Sequence, residues 1–151
     1  MKELTVTHDS VAAPARVWNV LTDLDNAAAT ISAIEKVERL DGGTGFEIGT
    51  KWRETRTMFG KKATEDMTVT ELDPGRSYKT EARSHGAHYV STHRVDPIEG
   101  GSRITMAFGA KPTGVISKIF SATVGNLFNN ATRKALVRDL VEIAAAAEKA
   151  S

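Results

Sequence analysis

The sequence contains no cysteine. That excludes disulfides, a thiolate nucleophile and any zinc site built on cysteine ligands. Net charge is almost as scarce: 20 lysines and arginines against 19 aspartates and glutamates leave +1. General nucleic-acid binding draws on a strong basic patch, so no nucleic-acid partner is expected. No uncharged apolar run approaches the ~20 residues of a transmembrane helix, so no stable membrane insertion is expected. The start, "MKELTVTHDSVAAP", alternates and lacks the apolar stretch of a signal peptide, which points to a cytoplasmic protein. Internal repeats and linkers are also missing. What is present is 151 residues, 40% apolar and 26% charged, enough to bury one substantial core. The whole chain, residues 1–151, reads as a single domain.

The first segment, "ELTVTH", alternates Leu4 and Val6 with Thr5 and Thr7, as a strand does. "DSVAAPARVWNVLTDLDN" changes period. Pro14 suits a first helical turn, and Val17, Trp18, Val20, Leu21 and Leu24 form a helical stripe. "NAAATISAI" predicts a second short helix. Six strands follow: Glu35–Leu40, Thr50–Phe59, Ala63–Leu72, Ser77–Ser84, His88–Val95 and Arg103–Ala110. Between them stand "DGGTG", "FGKK", "DPGR", "HGAH" and "IEGGS", turn sequences that close antiparallel hairpins. From Thr113 to Lys149 the apolar pattern is helical. About 35 helical residues would span ~50 Å, longer than a small domain, so a bend near Gly125 is expected. The fold class is α+β: a curved antiparallel sheet of about seven strands wrapped on one long C-terminal helix, with two short helices after the first strand.

Two-residue turns at Gly60-Lys61, Pro74-Gly75, Gly86-Ala87 and Gly100-Gly101 make a specific register. Arg56 then faces Glu65, Glu54 faces Met67 and Trp52 faces Val69. Val69 faces Thr80, Met67 faces Ala82 and Glu65 faces Ser84. Ser84 faces Tyr89, Ala82 faces Ser91 and Thr80 faces His93. His93 faces Phe108 and Val95 faces Met106. A one-residue slip would turn every side chain over, and all four turns keep one face aligned. That face carries Trp52, Met58, Met67, Val69, Tyr78, Tyr89, Val95, Ile104, Met106 and Phe108, so it is the inner one. Glu54, Arg56, Glu65, Thr80, Ser84, Ser91 and His93 come inside with it. The other face, including Lys51, Arg53, Thr55, Asp66, Glu81 and Arg94, is solvated, and so are Lys61 and Lys62. An inward ion is costly to desolvate unless paired; Arg56 is expected to pair with Glu65, and Glu54 to share it. Such a polar ribbon reads either as a network bracing the open rim of the sheet or as the lining of a cavity.

The element order, with "APARVWNVLTDLD", "GTKWRETRTMFG", "ATEDMTVTELDPGRSYKTEA", "GGSRITMAF" and the closing amphipathic helix, resembles the START-like helix-grip superfamily (SRPBCC) and within it the polyketide cyclase/dehydrase and lipid transport branch. The resemblance covers about residues 3 to 148. It implies a deep cavity between sheet and long helix that takes hydrophobic small molecules. Members of the superfamily include lipid carriers, plant hormone and allergen binders, and aromatase/cyclases, so fold alone does not assign the activity. Many relatives carry an aromatic residue in the second short helix, where this chain has Ala27 to Ala29. The branch has no fixed catalytic motif to carry over.

The expected function is binding or transport of a hydrophobic or amphipathic small molecule, lipid- or polyketide-like. Trp52, Met58, Met67, Tyr89, Met106 and Phe108 would wall the cavity, with Phe120, Val124 and Phe128 closing it together with Ile116, and Glu54, Arg56, Glu65, Ser91 and His93 as polar anchors. A cyclase or dehydratase is the second reading: His93 with Glu54 or Glu65 would exchange protons, Arg56 would hold a carbonyl or carboxylate, and Tyr89 would act as an acid. A regulatory or protein-interaction domain with a vestigial cavity is the third. "SHGAHYVSTH" holds His85, His88 and His93, but parity puts the first two on the outer face, exposed, and the third inside, so no metal site is expected. No cofactor is expected, and the chain is expected to be a monomer or weak homodimer.

Overall fold

The N-terminal alternation is realised as strand β1 (Lys2–Ser10) in a computed structural model that describes residues 2–84, 86–112 and 128–149. Helix α1 (Pro14–Leu21) starts with its proline in the first turn, where a missing N–H costs nothing. It buries Val17 and Leu21, which lie one turn apart. The predicted second helix is shorter and divided: a 3-10 turn (Leu24–Asn26) leads into the single turn α2 (Ala27–Thr30). Strands β2 (Ile34–Arg39), β3 (Lys51–Met58), β4 (Lys61–Asp73), β5 (Ser77–Ser84), β6 (Ala87–Ile98) and β7 (Gly101–Pro112) follow. They form a seven-stranded antiparallel sheet in the order β1-β7-β6-β5-β4-β3-β2. Only β1 breaks sequence order, pairing with β7 from Lys2 opposite Ala110 to Ser10 opposite Ser102.

Helix α3 (Asn130–Lys149) lies against β1, α1 and α2, which makes this the α+β helix-grip fold. Asn129 caps it, its side-chain oxygen accepting the Thr132 N–H at 2.9 Å. The described helix therefore begins after a turn at Phe128 and Asn129. The earlier part of the expected long helix, including Ile116, Phe120, Val124 and the Gly125 bend, lies outside the described residues. Leu136, Leu140, Ile143, Ala144 and Ala147 form the buried stripe of α3 and pack on Leu4, Val6, Val17, Leu21 and Ile104. Fully burying a side chain such as Leu140 or Ile104 contributes ~1.5–3 kcal/mol. Polar contacts pin the helix along its length: Arg133 donates to the Thr5 carbonyl at 3.0 Å, Ser32 to Glu142 at 3.0 Å, and Ser10 to Glu148 at 2.7 Å.

The inner face is the expected one, but most cross-strand partners are not. Arg56 lies opposite Ala63, Glu54 opposite Glu65 and Trp52 opposite Met67. Ser84 faces Ala87, Ala82 faces Tyr89, Thr80 faces Ser91, and Tyr78 faces His93. His93 faces Met106 and Val95 faces Ile104. The β3–β4, β5–β6 and β6–β7 ladders are each displaced by two residues from expectation because glycine occupies the second central position of the turn, not the first. The β3–β4 turn is Phe59-Gly60, with φ of 53° and 78°. Positive φ at both positions matches the twist of the flanking strands. Gly86 and Gly100 likewise directly precede the residue that resumes pairing, with φ of 78° and 81°. Val69 does face Thr80. Three residues, Pro74 to Arg76, close that hairpin, and a bulge at Thr70 restores the register. The described β4–β5 ladder starts at Thr68–Glu81, so Met67–Ala82 and Glu65–Ser84 are not part of it.

The outer face carries paired ions, such as Arg53 to Asp66 at 2.8 and 3.2 Å. His88 sits on this face but is not exposed. It is buried and lies 2.6 Å from Glu81, because Glu81 and His88 are diagonal neighbours on adjacent strands. His85 lies outside the described residues.

Candidate functional site: a polar-ended cavity under helix α3

The interior is filled at one end and hollow at the other. Where β1, β6 and β7 meet α1 and α3, branched side chains close the space. Farther along the sheet the inward residues are small: Ala63 on β4, Thr80 and Ala82 on β5, and Ser91 on β6. Between them, α2 and α3 lies a cavity of ≈ 250 Å³. Trp52, Met58, Met67, Tyr89, Met106 and Phe108 supply apolar wall from the sheet, and Leu136 and Ile143 supply it from α3. Leu24, Ala27, Thr30 and Ile31 close the side nearest the short helices. Alanine at position 27 contributes only a methyl group to that wall.

One wall is ionic. Arg56 donates from Nη1 to Asp139 Oδ2 at 2.7 Å and from Nε to Glu54 Oε2 at 3.4 Å. Glu54 Oε1 accepts the Trp52 indole N–H at 3.3 Å. The expected Arg56–Glu65 pair is thus replaced by Arg56–Asp139 and Arg56–Glu54, since the register puts Ala63 opposite Arg56. The side chains are 21%, 18% and 6% exposed for Arg56, Glu54 and Asp139. Burial disfavours the Arg56 charge, but the Asp139 and Glu54 carboxylates outweigh it and hold the guanidinium above its ordinary range. Burial pushes the Asp139 carboxyl up, an effect that Arg56 offsets in part.

A second polar group lies deeper. The His93 ring stacks on Tyr78, with centroids 4.9 Å apart and planes 17° from parallel. Burial, reinforced by the Arg56 charge, lowers His93 to about 4, so the imidazole is neutral at neutral pH. Burial also pushes the Tyr78 and Tyr89 phenols up, so both stay protonated. Three buried polar atoms around the cavity have no hydrogen-bond partner among the described residues: Thr80 Oγ1, Thr132 Oγ1 and His93 Nδ1. An unpaired buried hydroxyl costs ~1–3 kcal/mol.

Of the residues singled out from sequence, Trp52, Glu54, Arg56, Met58, Glu65, Met67, Tyr89, Ser91, His93, Met106 and Phe108 line this cavity. Phe128 does not; it backs Phe108, with ring centroids 5.9 Å apart. Phe120 and Val124 lie outside the described residues. Sequence reasoning missed Asp139 and Thr132. The signal for Asp139 was present: it falls three residues after Leu136 and four before Ile143, on the apolar stripe of α3, where an unpaired acid has no place. Among the described residues no cluster of three histidine, aspartate or glutamate side chains is arranged to hold a metal ion. No helix among them is long and apolar enough to cross a membrane.

The family described as polyketide cyclase/dehydrase and lipid transport matches residues 1–148. No curated protein sequence matches the chain. Among solved structures, a protein of Thermus thermophilus is 18% identical with a TM-score of 0.80, covering 99% of both chains. The aromatase/cyclase ZhuI of a Streptomyces species is 20% identical, with a TM-score of 0.74 over 98% of this chain and 94% of its own. A major latex-like protein of Panax ginseng is 13% identical, with a TM-score of 0.72 over 95% of each chain. At these identities the likeness is one of fold.

Proposed function

This chain belongs to the polyketide cyclase/dehydrase and lipid transport family, and we propose that within it residues 1–151 act as one domain that binds a small apolar molecule with a polar end. The observation that carries this reading is the cavity of ≈ 250 Å³, with apolar walls and three polar atoms lacking partners among the described residues. An apolar pocket with a few convergent polar groups is the general form of a small-molecule site. Size narrows the ligand. A cavity of about 150 Å³ takes benzene, so on the same scale ≈ 250 Å³ takes a ligand of about ten heavy atoms. The acid–base reading draws no support from His93 and Tyr89, since burial holds the imidazole neutral and the phenol protonated at pH 7.

Native mass spectrometry of the purified protein tests the reading, with Ala27→Phe as the blocked control. The phenyl ring at position 27 points a bulky group into the wall where a methyl now stands. A compound retained by the wild type and lost from the variant supports binding in this cavity. Equal retention by both, or no retained compound and no thermal stabilisation by any member of a library of small apolar compounds, overturns it.

A further inference from the structure

The β3–β4 turn holds an aromatic residue where stability does not call for one. Phe59 is the only described residue other than glycine with a left-handed φ, 53°. The first central position of such a turn favours asparagine or glycine, and a bulky side chain is strained there. The ring is also 62% exposed, the only aromatic among the large exposed apolar side chains of the described residues. Strain and exposure both cost stability at this one position, a combination that points to a role outside the fold. Space around the turn is open: a Cβ built on Gly60 meets nothing within 4 Å. The Phe59 ring therefore stands at a free tip.

Two exposed lysines follow it, Lys61 and Lys62. Lys61 makes no ion pair among the described residues, and Lys62 reaches Glu35 at 3.2 Å in an exposed pair that water screens. An aromatic ring with cations beside it matches the surface of an anionic bilayer, where the ring lies at the headgroup boundary and the lysines meet lipid charge. The tip is far smaller than the roughly 800 Å² per partner of a standard protein interface. A fluid surface that closes around it fits better than a second folded protein. The cavity also reaches the surface here: Ala63, directly after Lys62, is the only described cavity-lining residue that is itself exposed.

We propose that the Phe59–Lys62 turn docks the protein on the surface of an anionic membrane, with the Phe59 ring in the headgroup layer and Lys61 and Lys62 against the lipid charges. No element crosses the bilayer. Docking sets the exposed rim of the cavity at Ala63 beside the membrane, a source and sink for an apolar ligand. That consequence rests on the ligand-binding reading; the docking itself does not.

Co-sedimentation of the full chain with lipid vesicles at low salt tests it, comparing phosphatidylcholine alone with phosphatidylcholine containing about one-third phosphatidylglycerol. The bound fraction is expected to be at least threefold higher on the anionic vesicles and to fall at high salt, which screens the lysines. Phe59→Asn puts a favoured residue in the turn. It is expected to melt no lower than the wild type and yet to lose at least two-thirds of the binding to anionic vesicles. Lys61→Gln/Lys62→Gln is expected to bring that binding down to the level seen on phosphatidylcholine alone. Equal sedimentation with the two compositions, or undiminished binding by Phe59→Asn, overturns the proposal. A lower melting temperature for Phe59→Asn also overturns it, because the ring would then serve the fold. Phe59 does not line the cavity, so compounds retained in native mass spectrometry should be the same in Phe59→Asn. Failure to dock therefore leaves the cavity reading standing, and vesicle binding without any retained compound leaves the docking standing.

Discussion

Arg56 Nη1 and Asp139 Oδ2 meet at 2.7 Å across 83 residues of sequence, joining β3 to α3 beside the cavity. This contact fixes the helix over the hollow half of the sheet, where few apolar contacts do so.

Removing one partner should cost more than removing both. Arg56→Met leaves Asp139, itself 6% exposed, without its nearest cation, and Asp139→Leu leaves a half-buried guanidinium with only the longer Glu54 contact. Each single variant is expected to lose about 3 kcal/mol in urea unfolding, and the double variant Arg56→Met/Asp139→Leu distinctly less than the sum. Strict additivity would show that the two groups do not act as a pair.

His93 makes stability depend on pH. Its folded value is about 4, against an ordinary value of 6.5. Between those values the unfolded chain binds the proton and the folded one does not, so stability is full above about pH 6.5 and falls as pH drops toward 4, by up to about 3 kcal/mol. Asp139 acts in the opposite direction, because its raised carboxyl takes up a proton more readily in the folded state. Arg56, the other charge that acts on His93, keeps its charge throughout this range. His93→Phe retains a ring against Tyr78 and should flatten the pH 6.5 to 4.5 decline in denaturation midpoint. An equally steep decline in the variant would assign the effect to other groups.

Two adjacent glycines should respond differently to alanine. A Cβ at Gly101 would overlap the Ser10 carbonyl oxygen and sit 2.8 Å from Val11 Cα, both backbone atoms that no rotamer change can move. Gly101→Ala is expected to lose about 3 kcal/mol or more, since β7 must separate from the end of β1. Gly100 has open space around its Cβ position but a φ of 81°, so Gly100→Ala should lose only about 1–2 kcal/mol through backbone strain. Comparable melting temperatures for the two variants would contradict this ordering.

The parity of the strands was legible because inward Trp52, Met67, Tyr89 and Met106 alternate with outward Arg53, Asp66 and Thr92. Hydrophobic alternation constrains register only to within two residues, however. Reading Gly60-Lys61 as the turn in place of Phe59-Gly60 therefore kept every face and changed most partners. That is how Arg56 acquired Glu65 as its expected mate. The true partner, Asp139, sits on a helix far along the chain, and pairing across that distance leaves no local pattern. Its anomalous place in the Leu136–Ile143 stripe was the one available trace. The cavity itself depends on small inward residues on three strands, Ala63, Ala82 and Ser91, and what space they leave becomes visible only when the strands are aligned.

Sheet order also divides the molecule in time. From β2 to β7 each strand pairs with its neighbour in sequence, so every one of those ladders closes a short loop and can form early. β1 pairs with β7, and Ser10 reaches Ser102 only after the intervening chain has been gathered in. Until then the edge of β7 stands open to any other strand, a hazard that full pairing removes. The N-terminal strand is therefore the latch of the fold: it alone closes the sheet edge at β7, and without it that edge would be free to pair with another copy.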